Sequence, residues 1–234
     1  MNNLQCTVII PAAGQGKRMN SSISKQYLAL NDKPILVHTL ECFEKCPDIS
    51  NIILVVGKGE IPHCQKEIIE KYSFKKIINI IEGGKERQNS VYEGIKIVPE
   101  ETDIVLIHDA ARPLVSTNDI KKTIICAIEY EACVLGVKVK DTIKVVDNNK
   151  NIIDTPNRIA LWSIQTPQVF KKELISLVHH LAAKDKYIGT DDSMLVEKYS
   201  NKKVRIVEGS YSNIKITTRE DLIFAKNFIK DISV

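Results

Sequence analysis

Chemistry on phosphate is what the residue pattern first suggests. The stretch PAAGQGKRM, residues 11 to 19, follows the apolar run TVII and sets Gly14 and Gly16 directly before Lys17 and Arg18, with Lys25 a little further on. Glycines let backbone N–H groups approach phosphate oxygens closely, and the three cations can add charge-assisted bonds. The spacing fits neither common phosphate loop. The Walker pattern needs a longer gap between its glycines, and the dinucleotide pattern needs a third glycine where Met19 stands. A tight turn with solvated cations is the competing reading of so short a motif.

Four further stretches bear on that choice. HDAARP, residues 108 to 113, places Asp109 and Arg112 at the end of the apolar run IVLI. An acid there suits Mg²⁺, which takes one or two carboxylates and completes its shell with water and phosphate oxygens; an Asp before Pro113 also suits a helix cap. GGKERQNS, residues 83 to 90, offers the Gly83 and Gly84 backbone to a flat base or ribose, with Ser90 as a hydrogen-bonding side chain; a plain loop and helix start is the alternative. KDTIK, residues 140 to 144, and RIALWSIQTP, with Arg158 and Thr166, carry charge that also serves to protect a strand edge. SNIKIT, residues 212 to 217, reads as a strand that puts Lys215 on the face opposite Ile214 and Ile216, an unusual place for a merely solvated lysine.

The elements that must position these residues follow from periodicity. Apolar, β-branched runs at 6 to 10, 51 to 56, 76 to 81, 104 to 108, 133 to 139 and 203 to 208 read as strands. Between them Leu36, Leu40 and Phe43, then Ile61, Cys64 and Ile68, then Val91, Ile95 and Val98, then Ile120, Ile124 and Ile128 fall at helical spacings. Such alternation predicts an α/β fold, a doubly wound and mainly parallel sheet, with ligands at the carboxyl ends of its strands. Residues 142 to 156 break the rhythm and read as a projecting β-hairpin around Asp147 to Asn149, which has little core of its own. Thr217 and Glu220 form a capping-box pattern for a closing helix, and Asp191 and Asp192 read as the first turn of another.

Composition narrows the function classes. The 234 residues include 33 Lys and Arg against 29 Asp and Glu, a formal +4 with no block of like charge, so no nucleic-acid arm is indicated. No apolar run is long enough for a membrane span, and MNNLQCTVII enters a strand without a signal-peptide pattern, which implies a soluble cytoplasmic protein. Six cysteines without a C-x-x-C pair read as reduced core residues; Cys42, Cys46, His63 and Cys64 as zinc ligands is the weaker alternative.

Taken together, PAAGQGKRM, SKQYLAL, GGKERQNSV, VLIHDAARP, VKDTIK, LWSIQTPQVF, TDDSMLVE and EGSYSNIKIT resemble, in order and over essentially the whole chain, the 2-C-methyl-D-erythritol 4-phosphate cytidylyltransferases of isoprenoid biosynthesis. The resemblance implies a single Rossmann-like nucleotidyltransferase domain over 1–234, with 140–158 as an arm for dimerisation and for the active site. It implies that Arg18, Lys25, Lys215 and Arg158 are catalytic cations, and that Asp109 holds Mg²⁺. Ala12, Ala13, Gly14, Gly16, Gly84, Lys85 and Ser90 would bind CTP. Arg112, Thr142, Arg158 and Thr166 would hold methylerythritol phosphate, with the hairpin of one subunit closing its neighbour's site in a homodimer. One departure is Ser212, where relatives often carry an acid, so a second carboxylate for the metal is not expected from that position.

Three rival readings remain. The ribitol 5-phosphate cytidylyltransferases are a sister family that tends to begin LAGG and to carry HDAVRP; PAAG, Ala111, and Leu161 with Trp162 ahead of QTPQ favour methylerythritol here. A nucleotide-binding regulatory module without catalysis is disfavoured by the retained Arg18, Lys25, Asp109, Arg158 and Lys215. A dinucleotide-dependent oxidoreductase lacks its third glycine and its ribose-binding acid.

Overall fold

Seven strands share one sheet in a computed structural model of the chain, which describes residues 4–14 and 24–232. Strand β1 (Cys6–Pro11) pairs in parallel with β4 (Asn51–Val56) on one side and β6 (Ile104–Ile107) on the other, and β5 (Ile77–Glu82) adds in parallel beyond β4. Short strands β2 (Ala29–Leu30) and β3 (Lys33–Pro34) form a separate hairpin before helix α1 (Ile35–Glu44). In the second half β7 (Ala132–Lys138) carries β11 (Arg205–Glu208) in parallel at the sheet edge. Strand β10 (Trp162–Lys171) is inserted antiparallel between β6 and β7. Between β7 and β10 projects the expected hairpin, β8 (Val145–Val146) and β9 (Ile152–Asp154), its turn fixed by the Asp147 carboxylate accepting from the N–H groups of Asn149 and Asn151.

Parallel strands covered on both faces must be apolar throughout, and this sheet divides its core by residue parity. Val8, Ile10, Ile52, Leu54 and Leu106 meet Leu36, Leu40 and Phe43 of α1 and Ile120 and Ile124 of α4 (Thr117–Tyr130) on one face. Ile9, Ile53, Val55, Val105 and Ile107 turn to the other face, against α3 (Arg87–Ile95), α5 (Lys172–Lys184) and α6 (Asp192–Tyr199), and meet Val91, Ile175 and Leu195 there. Each such buried aliphatic side chain contributes about 1.5 to 3 kcal/mol. Cys46 and Cys64 lie in the first of these layers with Ile68, at the end of α2 (Ile61–Cys64) and its π-helical continuation over Gln65–Glu70; all six cysteines are free thiols.

Three local expectations are corrected. Residues 213–217 do not form a strand: Ile216 N–H donates to the Ala111 carbonyl, 2.8 Å away, so the segment lies against the residues that follow β6 instead of extending the sheet. The closing helix α7 (Arg219–Ile232) is capped one residue later than the Thr217–Glu220 pattern suggests. Thr218 Oγ1 accepts from Asp221 N–H, and the Asp221 carboxylate accepts from the N–H groups of Thr217 and Thr218. On α4 the buried face runs through Ile120, Ile124 and Ala127, while Ile128 is 47% exposed.

Helix α3 approaches β1 closely enough that a Cβ on Gly94 would meet Ile9 Cγ2 at 2.7 Å. Alanine favours a helix by about 1 kcal/mol over glycine, yet overpacking a core costs about 1 to 3 kcal/mol. Gly94→Ala is therefore expected to lower stability by about 1 kcal/mol in urea unfolding; a stabilised variant would show that α3 can move off the sheet without loss.

Candidate active site

The carboxyl ends of β1, β5 and β6 open on a cavity of about 190 Å³. Ala12, Ala13 and Gly14, from the loop after β1, form one wall; Gly84, Lys85 and Ser90, from the loop after β5 and the first turns of α3, form another. Asp109, Lys25 and Lys215 line it as well. The expected nucleotide-binding positions within the described residues thus converge. Gly16 and Arg18 lie outside the described residues.

The walls are held by specific bonds. Ala12 N–H donates to the Val55 carbonyl at 2.6 Å, and the buried Gln26 carboxamide donates to the Ala12 carbonyl, joining the two ends of the glycine loop. Glu60 accepts from Ser24 Oγ at 3.1 Å, from Tyr27 OH at 2.8 Å and from Gly57 N–H at 3.1 Å, which ties the returning end of that loop to the end of β4. Across the cavity Gly84 N–H donates to Ser90 Oγ at 3.1 Å. The two glycines there answer to packing: a Cβ on Gly83 would lie 2.5 Å from Ser90 Oγ, and one on Gly84 would lie 2.5 Å from Asn89 Cβ.

Electrostatically the site centres on Asp109. Its Oδ2 is 2.7 Å from Lys215 Nζ and 3.7 Å from Arg112 Nε, and its Oδ1 is 2.9 Å from Arg87 Nε. Burial alone would raise this carboxyl, but Arg87, Lys215 and Arg112 outweigh burial and hold it well below the usual carboxylate range. Lys25 Nζ donates to the Ile216 carbonyl at 3.4 Å, which brings the glycine-loop lysine beside the segment that carries Lys215.

A second network fixes the backbone of Asp109. Its N–H donates to Thr166 Oγ1 at 3.1 Å, and Thr166 Oγ1 is 3.1 Å from Nδ1 of the fully buried His108. Burial pushes the His108 imidazole down to about 4, so it is neutral at pH 7 and has one donor and one acceptor nitrogen. Because Nε2 faces the Arg112 carbonyl at 3.0 Å and must donate to it, Nδ1 accepts the Thr166 hydroxyl proton. Every hydrogen in this chain has one place to go.

Not all expected substrate-binding residues face the cavity. Thr166 is buried in the network just described. Arg112 donates through Nη1 to the Asn213 carbonyl at 2.7 Å, its Nε is buried without a hydrogen bond, and it reaches the site through Asp109. Thr142 and Arg158 are exposed on the arm and do not line the cavity; Arg158 Nη1 donates to the Lys140 carbonyl at 2.9 Å. Ser212 N–H donates to Ser210 Oγ, and Ser212 lines a different cavity. Among the described residues no group of three or more His, Cys, Asp or Glu side chains is placed to hold a metal, so the zinc grouping is not assembled. Two carboxylate residues, Glu86 and Asp109, line the cavity, and Asp109 could hold a cation such as Mg²⁺, which draws most of its shell from phosphates and water.

Sequence reading missed Arg87, Asp192 and Gln168. Arg87 sits inside the quoted GGKERQNS, and its position as the first residue of α3 after a glycine turn was the available signal. Asp191 does cap α6, accepting from Met194 N–H at 2.9 Å, but Asp192 also turns inward to Arg87 Nη1 at 2.7 Å.

Comparison with known proteins finds relatives over nearly the whole chain. Residues 6–231 match the family model described as 2-C-methyl-D-erythritol 4-phosphate cytidylyltransferase. A protein of that description from Alkaliphilus oremlandii is 50% identical over 232 residues, covering 98% of each chain. Another from Caldanaerobacter subterraneus is 47% identical over 227 residues, covering 97% of this chain and all of the relative. The crystal structure of 4-diphosphocytidyl-2C-methyl-D-erythritol synthase from Anaerococcus prevotii superposes with a TM-score of 0.86 at 36% identity, covering 98% of this chain and 97% of that one.

Removal of the Thr166 hydroxyl leaves Asp109 N–H and His108 Nδ1 without partners in a buried site. Thr166→Val is expected to cost about 1 to 3 kcal/mol in denaturant unfolding, and Thr166→Ser to recover most of it. Equal stability of the two variants would break the proposed proton order.

Proposed function

The chain belongs to the 2-C-methyl-D-erythritol 4-phosphate cytidylyltransferase family, and from that premise we propose how its cavity works. The overall reaction joins CTP and 2-C-methyl-D-erythritol 4-phosphate to give 4-diphosphocytidyl-2-C-methyl-D-erythritol and pyrophosphate, a step of isoprenoid precursor synthesis. The observation that carries the reading is the convergence of Asp109, Lys25 and Lys215 beside the Ala12–Gly14 backbone, since a triphosphate needs cations and N–H donors together.

In this scheme cytosine and ribose lie against Ala12, Ala13, Gly84, Lys85 and Ser90. The triphosphate follows the glycine loop toward Lys25 and Lys215, with Gly14, Gly16 and Arg18 completing the cradle. An oxygen of the methylerythritol phosphate attacks the α-phosphorus of CTP, the new P–O bond forms, and the bond to the departing pyrophosphate breaks. A phosphate monoester, whose second pKa is near 6, is already largely dianionic at pH 7, so the attack needs no general base. Its obstacle is repulsion: two unit charges about 4 Å apart cost roughly 1 kcal/mol in water and about 4 kcal/mol near a protein surface. Lys25 and Lys215 offset that charge from fixed positions and the charge of Arg18 would add to theirs, so catalysis is positioning plus electrostatics. Asp109 would hold Mg²⁺, which when bound neutralises phosphate charge. Arg112 and Thr166 act from behind the cavity, holding the Asp109 side chain and backbone that face the second substrate.

The arm supports a homodimer. A two-stranded hairpin has almost no core, yet Ile152, Ile153 and Ile159 are 62%, 65% and 86% exposed. Apolar side chains grouped this way call for a covering surface, and a second copy whose cavity receives Thr142 and Arg158 supplies one. No helix among the described residues is long and apolar enough to cross a membrane, and six free thiols suit the reducing cytoplasm, where we place the enzyme.

Pyrophosphate release from CTP is expected with methylerythritol phosphate and not with ribitol 5-phosphate, to stop on chelation of divalent cations, and to return with Mg²⁺. Release with ribitol 5-phosphate alone would reassign the substrate; release in excess chelator would remove the metal. If the arm completes the partner's site, inactive Arg158→Ala and Lys215→Ala proteins regain activity on mixing, up to about a quarter of wild type, because one site of each mixed dimer is intact. No recovery from subunits shown to exchange would place Arg158 at its own chain's site.

A further inference from the structure

Strand β10 fixes two carboxylates at once. Thr166 accepts the N–H of Asp109, and two residues on the Gln168 Oε1 accepts the N–H groups of Asp192 and Ser193 at 3.1 and 3.0 Å. Gln168 also donates to the Asp191 carboxylate at 2.8 Å, so the start of α6 is bound to the sheet. Between the carboxylates lies one guanidinium: Arg87 gives Nε to Asp109 Oδ1 at 2.9 Å and Nη1 to Asp192 Oδ2 at 2.7 Å. The other Asp192 oxygen accepts from His179 Nε2 at 3.1 Å, and both His179 and Asp192 are essentially unexposed. Asp192 does not line the cavity.

We propose that Asp192, acting through Arg87, is a positioning residue that reserves one oxygen of Asp109 for the divalent cation. Arg87 occupies Oδ1, while Oδ2 is shared by Lys215 at 2.7 Å and the buried Arg112 at 3.7 Å, so it is the oxygen a cation would take over from the partly exposed Lys215. The fork of arginine is what makes this possible, since a lysine ammonium is a single point and cannot bond two carboxylates in fixed directions. Asp192 is required because it engages Nη1. Without its charge Arg87 is free to swing into the two-bond pairing that guanidinium and carboxylate prefer, taking both oxygens of Asp109 and withdrawing the ligand.

The inference rests on the reading of Asp109 as the metal-holding residue, and the test separates the two. CTP affinity is measured by calorimetry with Mn²⁺ and again in chelator, without the second substrate; the ratio reports how much the metal strengthens binding. In Asp192→Asn that ratio is expected to fall about tenfold while metal-free CTP affinity stays at the wild-type value, the size of effect seen when a group supporting a metal ligand is lost. A merely structural role would lower both affinities together, and that outcome, or an unchanged ratio in the folded variant, overturns the proposal. Should Asp192→Asn fail to fold, Arg87→Lys decides: the ratio falls if the fork is needed, and an unchanged ratio overturns the proposal. Asp109→Asn is the reference. A ratio unchanged there defeats the metal reading and the inference with it, whereas a ratio lost there and kept in Asp192→Asn defeats the inference alone.

Discussion

A carboxylate buried to the extent of Asp109 stays ionised only beside cations, because an unpaired buried charge costs several kcal/mol, a large share of a domain's whole stability, and the group would take up a proton instead. That requirement organises the site. Its three partners come from places far apart in the chain: Arg87 opens α3, Arg112 follows β6, and Lys215 lies in the segment beyond β11. The sheet is the device that brings these segments to one edge, since parallel strands end together and release their loops on the same side. Lys215, partly exposed, pairs with Asp109 and itself lines the cavity.

The rigidity of the surroundings follows from neutral groups. His108 is kept uncharged by burial, and Thr166 and Gln168 act as relays that turn strand register into carboxylate position. Such networks are favourable only when complete, because each unmet buried donor or acceptor carries its own cost. Gln26 and Glu60 perform the same service for the described ends of the glycine loop.

Much of this was legible in the sequence. Buried strands announce themselves as β-branched runs, and the helix spacings of Leu36, Leu40 and Phe43 match the face that α1 buries. Asp109 and Ala12 were identifiable because they closely follow strands, where this architecture places ligands, whereas Lys25 and Ser90, which lie in helical turns, were reached through the glycine-bearing motifs beside them. Strand β10 was hidden because its centre reads Gln165, Thr166, Pro167, Gln168, polar or ring-bound residues that obscure the period, and it is these residues that build the site. The Lys215 segment misled in the other direction: its alternation of Ile214 and Ile216 reflects burial against the loop after β6, not sheet pairing. The partnership of Arg87 with Asp192 spans 105 residues and leaves no local trace.

The place of β10 in the sheet also sets a sequence of events during synthesis. Strand β7 is complete at Lys138, but both of its hydrogen-bonding neighbours, β10 and β11, are encoded later, and the arm must be made before the first of them exists. The growing chain therefore passes through a stage in which β1, β4, β5 and β6 can already pair while the apolar strand ACVLGV waits with two open edges. At that length the unpaired edges of β7 are the part of the nascent chain most open to mispairing, and the arm sets how long they stay so.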